Sequence, residues 1–113
     1  MIDWYTQFPV AITLIDTEGR VLEMNDRAAQ AYAADGGRKL IGLNSLDCHP
    51  EQARQKLLDL LQSQQANVYT IERAGRKKLI YQAPWYEEGH YRGIVEMQIE
   101  LPPDVPHFVR NSS

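Results

Sequence analysis

Cysteine is almost missing from this sequence. Cys48 is the single example in 113 residues, which excludes an internal disulfide and fits a reducing compartment. Excess positive charge is missing too. The net charge of −3 argues against nucleic-acid binding, where phosphate contacts supply most of the affinity. The local cluster of Arg73, Arg76, Lys77 and Lys78 reads as a solvated turn. No apolar run is long enough to span a membrane, and the opening "MIDWYTQFPV" lacks the basic-then-apolar pattern of a secretory signal. These absences point to a cytoplasmic protein with no membrane or nucleic-acid partner. Internal repeats and low-complexity segments are also lacking. What remains is the composition of one globular domain, large enough to bury a core without metal or disulfide support.

Two short strands open the fold. The stretch 10–15 is rich in β-formers, "DTEG" carries turn chemistry, and 21–24 resumes the apolar pattern. Asn25 stands before "DRAAQAYAA" and reads as the N-cap of a helix, its side chain accepting from free backbone N–H groups. "DGG" ends that helix, and "RKLIG" reads as one helical turn closed by Gly42. The longest helix is predicted over 51–65. There Ala53, Leu57, Leu60 and Leu61 form one apolar stripe, Pro50 suits the first helical position and Glu51 favours the positive end of the dipole. Three strands follow, "NVYTIERA" turning through "GR" into "KKLIYQAPWY", and "EEGH" turning into "YRGIVEMQIEL". In the last strand Val95, Met97, Ile99 and Leu101 alternate with Glu96, Gln98 and Glu100, which predicts one buried and one wet face. Prolines in "PPDVP" stop the sheet. The expected class is α+β, a five-stranded antiparallel sheet with helices packed on one face.

The pair Cys48 and His49 invites a catalytic reading. A thiolate nucleophile needs a nearby base and a lowered pKa, which a helix N-terminus helps to supply. Against this, neighbours in sequence point apart, and no third group orients them. Cap and packing roles for His49 and Cys48 outweigh a thiol enzyme. His49, His90 and His107 lack the paired spacing of a zinc site. No metal and no catalytic residue is expected.

Three stretches, "FPVAITLIDTEGRVLEMN", "LIGLNSLDCHPEQARQKLLDLL" and "YEEGHYRGIVEMQIEL", together resemble a PAS domain. The likeness runs from Phe8 to about Leu101. It rests on an Asp-x-x-Gly turn at 16–19, the strand-ending Asn25, an Ile-Gly turn followed by a His-Pro-Glu entry to the long helix, and Gly89 and Gly93 in the closing hairpin. The resemblance implies a non-catalytic sensory or interaction module of bacterial-type signalling. It further implies a sheet in the order 2-1-5-4-3, helices on one face and a cavity between them. Residues 1–8 are then expected as an N-terminal helical cap, 9–101 as the PAS domain and 102–113 as a proline-rich tail. The usual Asp-Ile-Thr exit toward an output helix is replaced by "LPPDVPHFVR". A separate signalling partner is therefore expected, or else the chain is a stand-alone or excised unit.

On that reading, Ile12, Leu14, Cys48, His49, Leu57, Leu61, Tyr81, Ala83, Val95 and Met97 are candidates to line the ligand cavity, with a filled core as the alternative. Ile2, Trp4, Tyr5 and Phe8 are candidates for a homodimer contact, because large exposed aromatics are enriched at interfaces. Haem, which some members of the family bind, is the alternative cofactor, with His49 or Cys48 as axial ligand. Against it, the family's usual histidine lies inside the long helix, and 51–65 contains none. "GLNSLDC" is similar to the flavin-binding branch at Gly42 and Asn44, but Ser45 stands where the reactive cysteine belongs.

Overall fold

The computed structural model describes residues 1–47 and 49–111. Its elements are β1 (Ala11–Asp16), β2 (Val21–Met24), α1 (Asp26–Ala31), α2 (Glu51–Ser63), β3 (Asn67–Arg73), β4 (Arg76–Glu87) and β5 (His90–Leu101), with 3-10 turns at Ala33–Asp35 and Gly37–Leu40. The five strands form one antiparallel sheet in the order β2-β1-β5-β4-β3. The two-strand start and three-strand finish meet at the β1–β5 seam, and the helical middle crosses over one face.

Local chemistry accounts for most boundaries. The Asp16 carboxylate accepts from the backbone N–H of Glu18 and Arg20, both at 2.9 Å, and closes the first hairpin. Ala74–Gly75 and Glu88–Gly89 all carry left-handed φ values between 51° and 80°, the geometry of two-residue hairpin turns whose twist matches the strands. The β3–β4 turn is thus made by Ala74 and Gly75, and Arg76 already belongs to β4. The predicted first helix is shorter than its sequence suggests. Tyr32 leaves helical geometry, and Gly36 and Gly37 bend the chain left-handed at φ 116° and 57°. The segment Leu43–Ser45 runs along the free edge of β2. The N–H of Val21 donates to the Leu43 carbonyl at 2.9 Å, and that of Ser45 to the Gly19 carbonyl at 2.8 Å. An otherwise open edge is thereby covered.

The long helix starts at Glu51, as expected, and ends at Ser63, two residues before the expected end. Pro50 is its N-cap, with extended ψ, rather than its first helical residue, and His49 lies outside the cap. Residues 1–8 form no helix. The Asp3 carboxylate accepts from the N–H groups of Tyr5 and Thr6 and from the Thr6 hydroxyl, folding the segment into a turn. Those donors, the Thr6 hydroxyl foremost, hold the Asp3 carboxyl below its usual range.

Asn25 ties this end together. It is fully buried, at 0% exposure. Its Oδ1 accepts from the N–H of Ile12 and of Ala28, both at 3.0 Å. Its Nδ2 donates to the carbonyls of Val10 at 2.8 Å and Tyr5 at 3.1 Å. One amide therefore caps α1 and fixes the chain's entry into β1. Beside it Ala11, Val21, Met24 and Ala28 form a buried cluster, with Tyr32 and Leu40 packed against it.

Candidate functional site

Successive strand residues point to opposite faces, so the ladder register sorts the sheet. Cross-strand partners Asn67, Gln82, Glu96 and Thr13 form one row on the face covered by the helices. The adjacent row, Val68, Tyr81, Met97 and Ile12, lies on the outer face. Between the inner face and α2 is a pocket of about 1120 Å³, open to solvent on one side. Thr13, Ile15, Ile94 and Glu96 line its sheet wall; Ala53, Leu57 and Leu60 line its helix wall.

Helix α2 stands over this space held mainly at its ends. The Tyr91 hydroxyl donates to the Leu61 carbonyl at 2.8 Å, and the Leu61 side chain is buried. At the entry to the helix, His49 Nδ1 donates to the Ser45 carbonyl at 2.5 Å. That assignment follows because a carbonyl only accepts.

The sheet wall carries a hydrogen-bonded network centred on Glu96. Its Oε1 accepts from the Tyr32 hydroxyl at 2.7 Å and its Oε2 from Gln82 Nε2 at 2.8 Å. Asn67 Nδ2 donates to Gln82 Oε1 at 3.0 Å, and Gln98 Nε2 to the Tyr32 hydroxyl at 2.9 Å. Burial, then the adjacent Glu96 carboxylate, pushes the Tyr32 hydroxyl far above its usual range. Tyr69 is shifted the same way by the same two causes. Burial, with the neighbouring Tyr86 as a lesser cause, also raises Tyr91.

The pocket takes in only part of the expected cavity set. His49 and Leu57 line the pocket, and Leu61 anchors the helix beside it. Ile12, Leu14, Tyr81, Ala83, Val95 and Met97 lie on the outer face, turned away from it. Alternation correctly separated two kinds of residue on β5 but assigned them to the wrong sides. Glu96 and Gln98 face the helices, while Val95 and Met97 face outward. Period-two patterning carries no label for which face a distant helix covers. Cys48 lies outside the described residues. Asn44 has a structural role, its Nδ2 donating to the Glu18 carbonyl at 3.0 Å and its Oδ1 accepting from Leu46 N–H at 2.8 Å.

Sequence reasoning passed over Tyr32, Gln82, Glu96 and Gln98 as site residues. The available signal was polar side chains in mid-strand, which need partners when covered. Of the proposed contact residues, Ile2, Trp4 and Phe8 are exposed, Trp4 at 60% and Phe8 at 41%. Trp4 meets Tyr5 and Phe8 edge to face. Tyr5 turns inward, and its hydroxyl is buried without a protein partner among the described residues. Burial, then the charge of Glu23, pushes it up to about 12.

Comparison with known proteins gives one consistent answer. The PAS fold family model (PAS_4) matches residues 5–97. Similar solved structures include the C-terminal domain of a Streptococcus mutans protein (18% identity, TM-score 0.68, covering 87% of this chain and 80% of that one). A PAS domain of an HTR-like protein from Haloarcula marismortui aligns at 14% identity and TM-score 0.62, covering 87% and 86% of the two chains. The Aer2 receptor from Vibrio cholerae, described as a dual PAS-heme oxygen sensor, aligns at 15% identity and TM-score 0.60, covering 82% and 95%. Among curated proteins none matches. Among the described residues, no helix is long and apolar enough to cross a membrane.

Proposed function

This chain belongs to the PAS fold family, and from that premise we propose that it is a non-catalytic sensory module of the cytoplasm whose inner pocket binds a small molecule. The observation that carries this reading is the space between sheet and α2, with apolar residues on both walls divided by polar side chains. Such a division suits ligand recognition, where apolar surface supplies affinity and a few polar groups fix orientation. The mechanism is a population shift. A ligand touching both Ile94 on the sheet and Leu57 on α2 favours one position of the helix over others. The helix is suited to move because it is held at its ends rather than packed along its length.

The signal then leaves through an interface, either with a second copy of the chain or with a separate signalling protein. Exposed Trp4 and Phe8, and the outward Val68 and Tyr81, support a homodimer. Native mass spectrometry of the purified protein tests both parts of the proposal together. Retained ligand mass and a dimer peak are the expected result. A bare monomer that stays monomeric in light scattering at high concentration overturns the dimer. Failure of every compound in a small-molecule library to shift the amide resonances of Ile15, Leu57 and Ile94 overturns the sensory pocket.

A second reading, haem binding, is favoured by one observation. Because His49 Nδ1 is held by the Ser45 carbonyl, Nε2 is the ring nitrogen free to ligate, the arrangement of an oriented metal-binding histidine. The haem would supply gas or redox sensing, with His49 holding the iron. A Soret band on adding ferric haem, lost in His49→Ala, is expected if this reading is correct. No band in the parent protein ends it.

A further inference from the structure

Glu96 is an anion placed where the fold has no evident need of one. It sits mid-strand on β5, half-buried, at the centre of the inner wall. Its hydrogen-bond partners are the hydroxyl of Tyr32 and the amides of Gln82 and Gln98, the last at 3.4 Å. All three are neutral. Among the described residues no lysine, arginine or histidine forms an ion pair with it. A carboxylate has about four acceptor positions, so the three bonds leave room for another donor. Neutral donors fix the position of the carboxylate and compensate part of its lost hydration, but they leave its charge unneutralised. The surrounding lining is mixed: Ile15 and Ile94 on the sheet and Leu57 and Leu60 on the helix are apolar, while Asp35 and Asp59 add further carboxylates.

We infer that the pocket selects a small organic cation, a primary amine or amidinium on an apolar body, with its charged head donating to Glu96. This inference rests on the reading of the pocket as a ligand site and adds the chemical class. The apolar body lies between Ile94 and the leucines of α2. The network explains the selectivity: Gln82, itself held by Asn67, and Tyr32, held by Gln98, orient both carboxylate oxygens before the ligand arrives. Pre-organised charge costs the ligand no rearrangement. An anionic analogue of the same shape meets repulsion instead. Lys56 lines the pocket from α2, and Arg27, Arg73, Arg76 and Lys78 share a second hollow with Glu96; these are the cations placed to compete for the same carboxylate.

Three probes sharing a phenylethyl body separate the cases: 2-phenylethylamine, 2-phenylethanol and 3-phenylpropionate, each titrated into the full chain labelled with ¹⁵N. The expected result is that the amine binds about tenfold more tightly than the alcohol, the worth of a hydrogen bond to a charged group, and moves the Gln82 side-chain amide signals. The carboxylate is expected to bind most weakly. Glu96→Gln should reduce the amine to the affinity of the alcohol and leave the alcohol unchanged. Tyr32→Phe, which keeps the charge and removes one donor, should retain the preference. Equal affinities in the parent protein, as Lys56 neutralising Glu96 would produce, overturn the cation inference and leave the pocket reading standing. If none of the three probes perturbs Ile15, Leu57 or Ile94, the inference falls together with the ligand-site reading beneath it.

Discussion

Asn25 and Glu96 both place a polar side chain inside the fold, and they are served in opposite ways. Asn25 is sealed from water and satisfied by backbone groups of β1, α1 and the entry segment. Backbone partners cannot move without unfolding the elements that carry them. Glu96 faces an open pocket and is held by side chains, which orient its oxygens and leave an acceptor position for a further donor. The first arrangement specifies a structure, and the second presents a charge to the pocket. The two regions meet on the inner face: Ala11 and Ala28 pack near Asn25, while Val21 and Met24 of the same cluster border the space beneath α2.

The seam shared by both regions gives the largest expected effect. A Cβ on Gly93 would lie 2.0 Å from the Ile15 carbonyl oxygen, at a φ of 138° that side chains rarely adopt. Gly93→Ala must therefore push β1 off β5, and a loss of about 4 kcal/mol or failure to fold is expected in urea denaturation. Ordinary stability would mean that the seam yields easily and that the two regions do not depend on it.

Asn25→Ala comes next. It leaves several buried backbone groups without partners, so a loss of about 3 kcal/mol is expected. Glu96→Gln keeps an acceptor in the network and stays in contact with the pocket, so its stability is expected to change by less than about 1 kcal/mol. The ratio of these two losses measures the contrast directly, and similar values for both would break it.

The smallest effect is alkaline. Tyr5 is raised to about 12 by burial, so the folded state keeps its proton where the unfolded chain, with a phenol near 10, has released it. Its contribution is intact below pH 10 and is lost as pH rises from about 10 toward 12. Tyr5→Phe is expected to be at least as stable as the parent at neutral pH, since it removes a buried hydroxyl without a partner among the described residues. Its advantage should widen above pH 10 in denaturation measured across that range. A constant difference would place the Tyr5 hydroxyl in water.

Much of the fold was legible because its signals are local. The 16–19 turn, the cap at Asn25 and the leucine spacing of α2 each depend on residues a few positions apart, and the strand order followed from the family resemblance they carry together. The errors are also local in origin. His49 was a plausible cap, but Pro50 takes that place and His49 turns back to Ser45. The family resemblance implied a helix at the start of the chain, where the Asp3 carboxylate draws the backbone into a turn instead.

The sequence by itself determined the elements, their turns, and the fact that β5 has two chemically different faces, because these follow from backbone propensity and the pleat. Only the tertiary structure decided which face α2 covers, and hence that Glu96 rather than Val95 meets the pocket. Exchanging the two faces leaves every local signal unchanged. The choice is made by where the crossing helices land and by a register that aligns Asn67, Gln82, Glu96 and Thr13 across four strands.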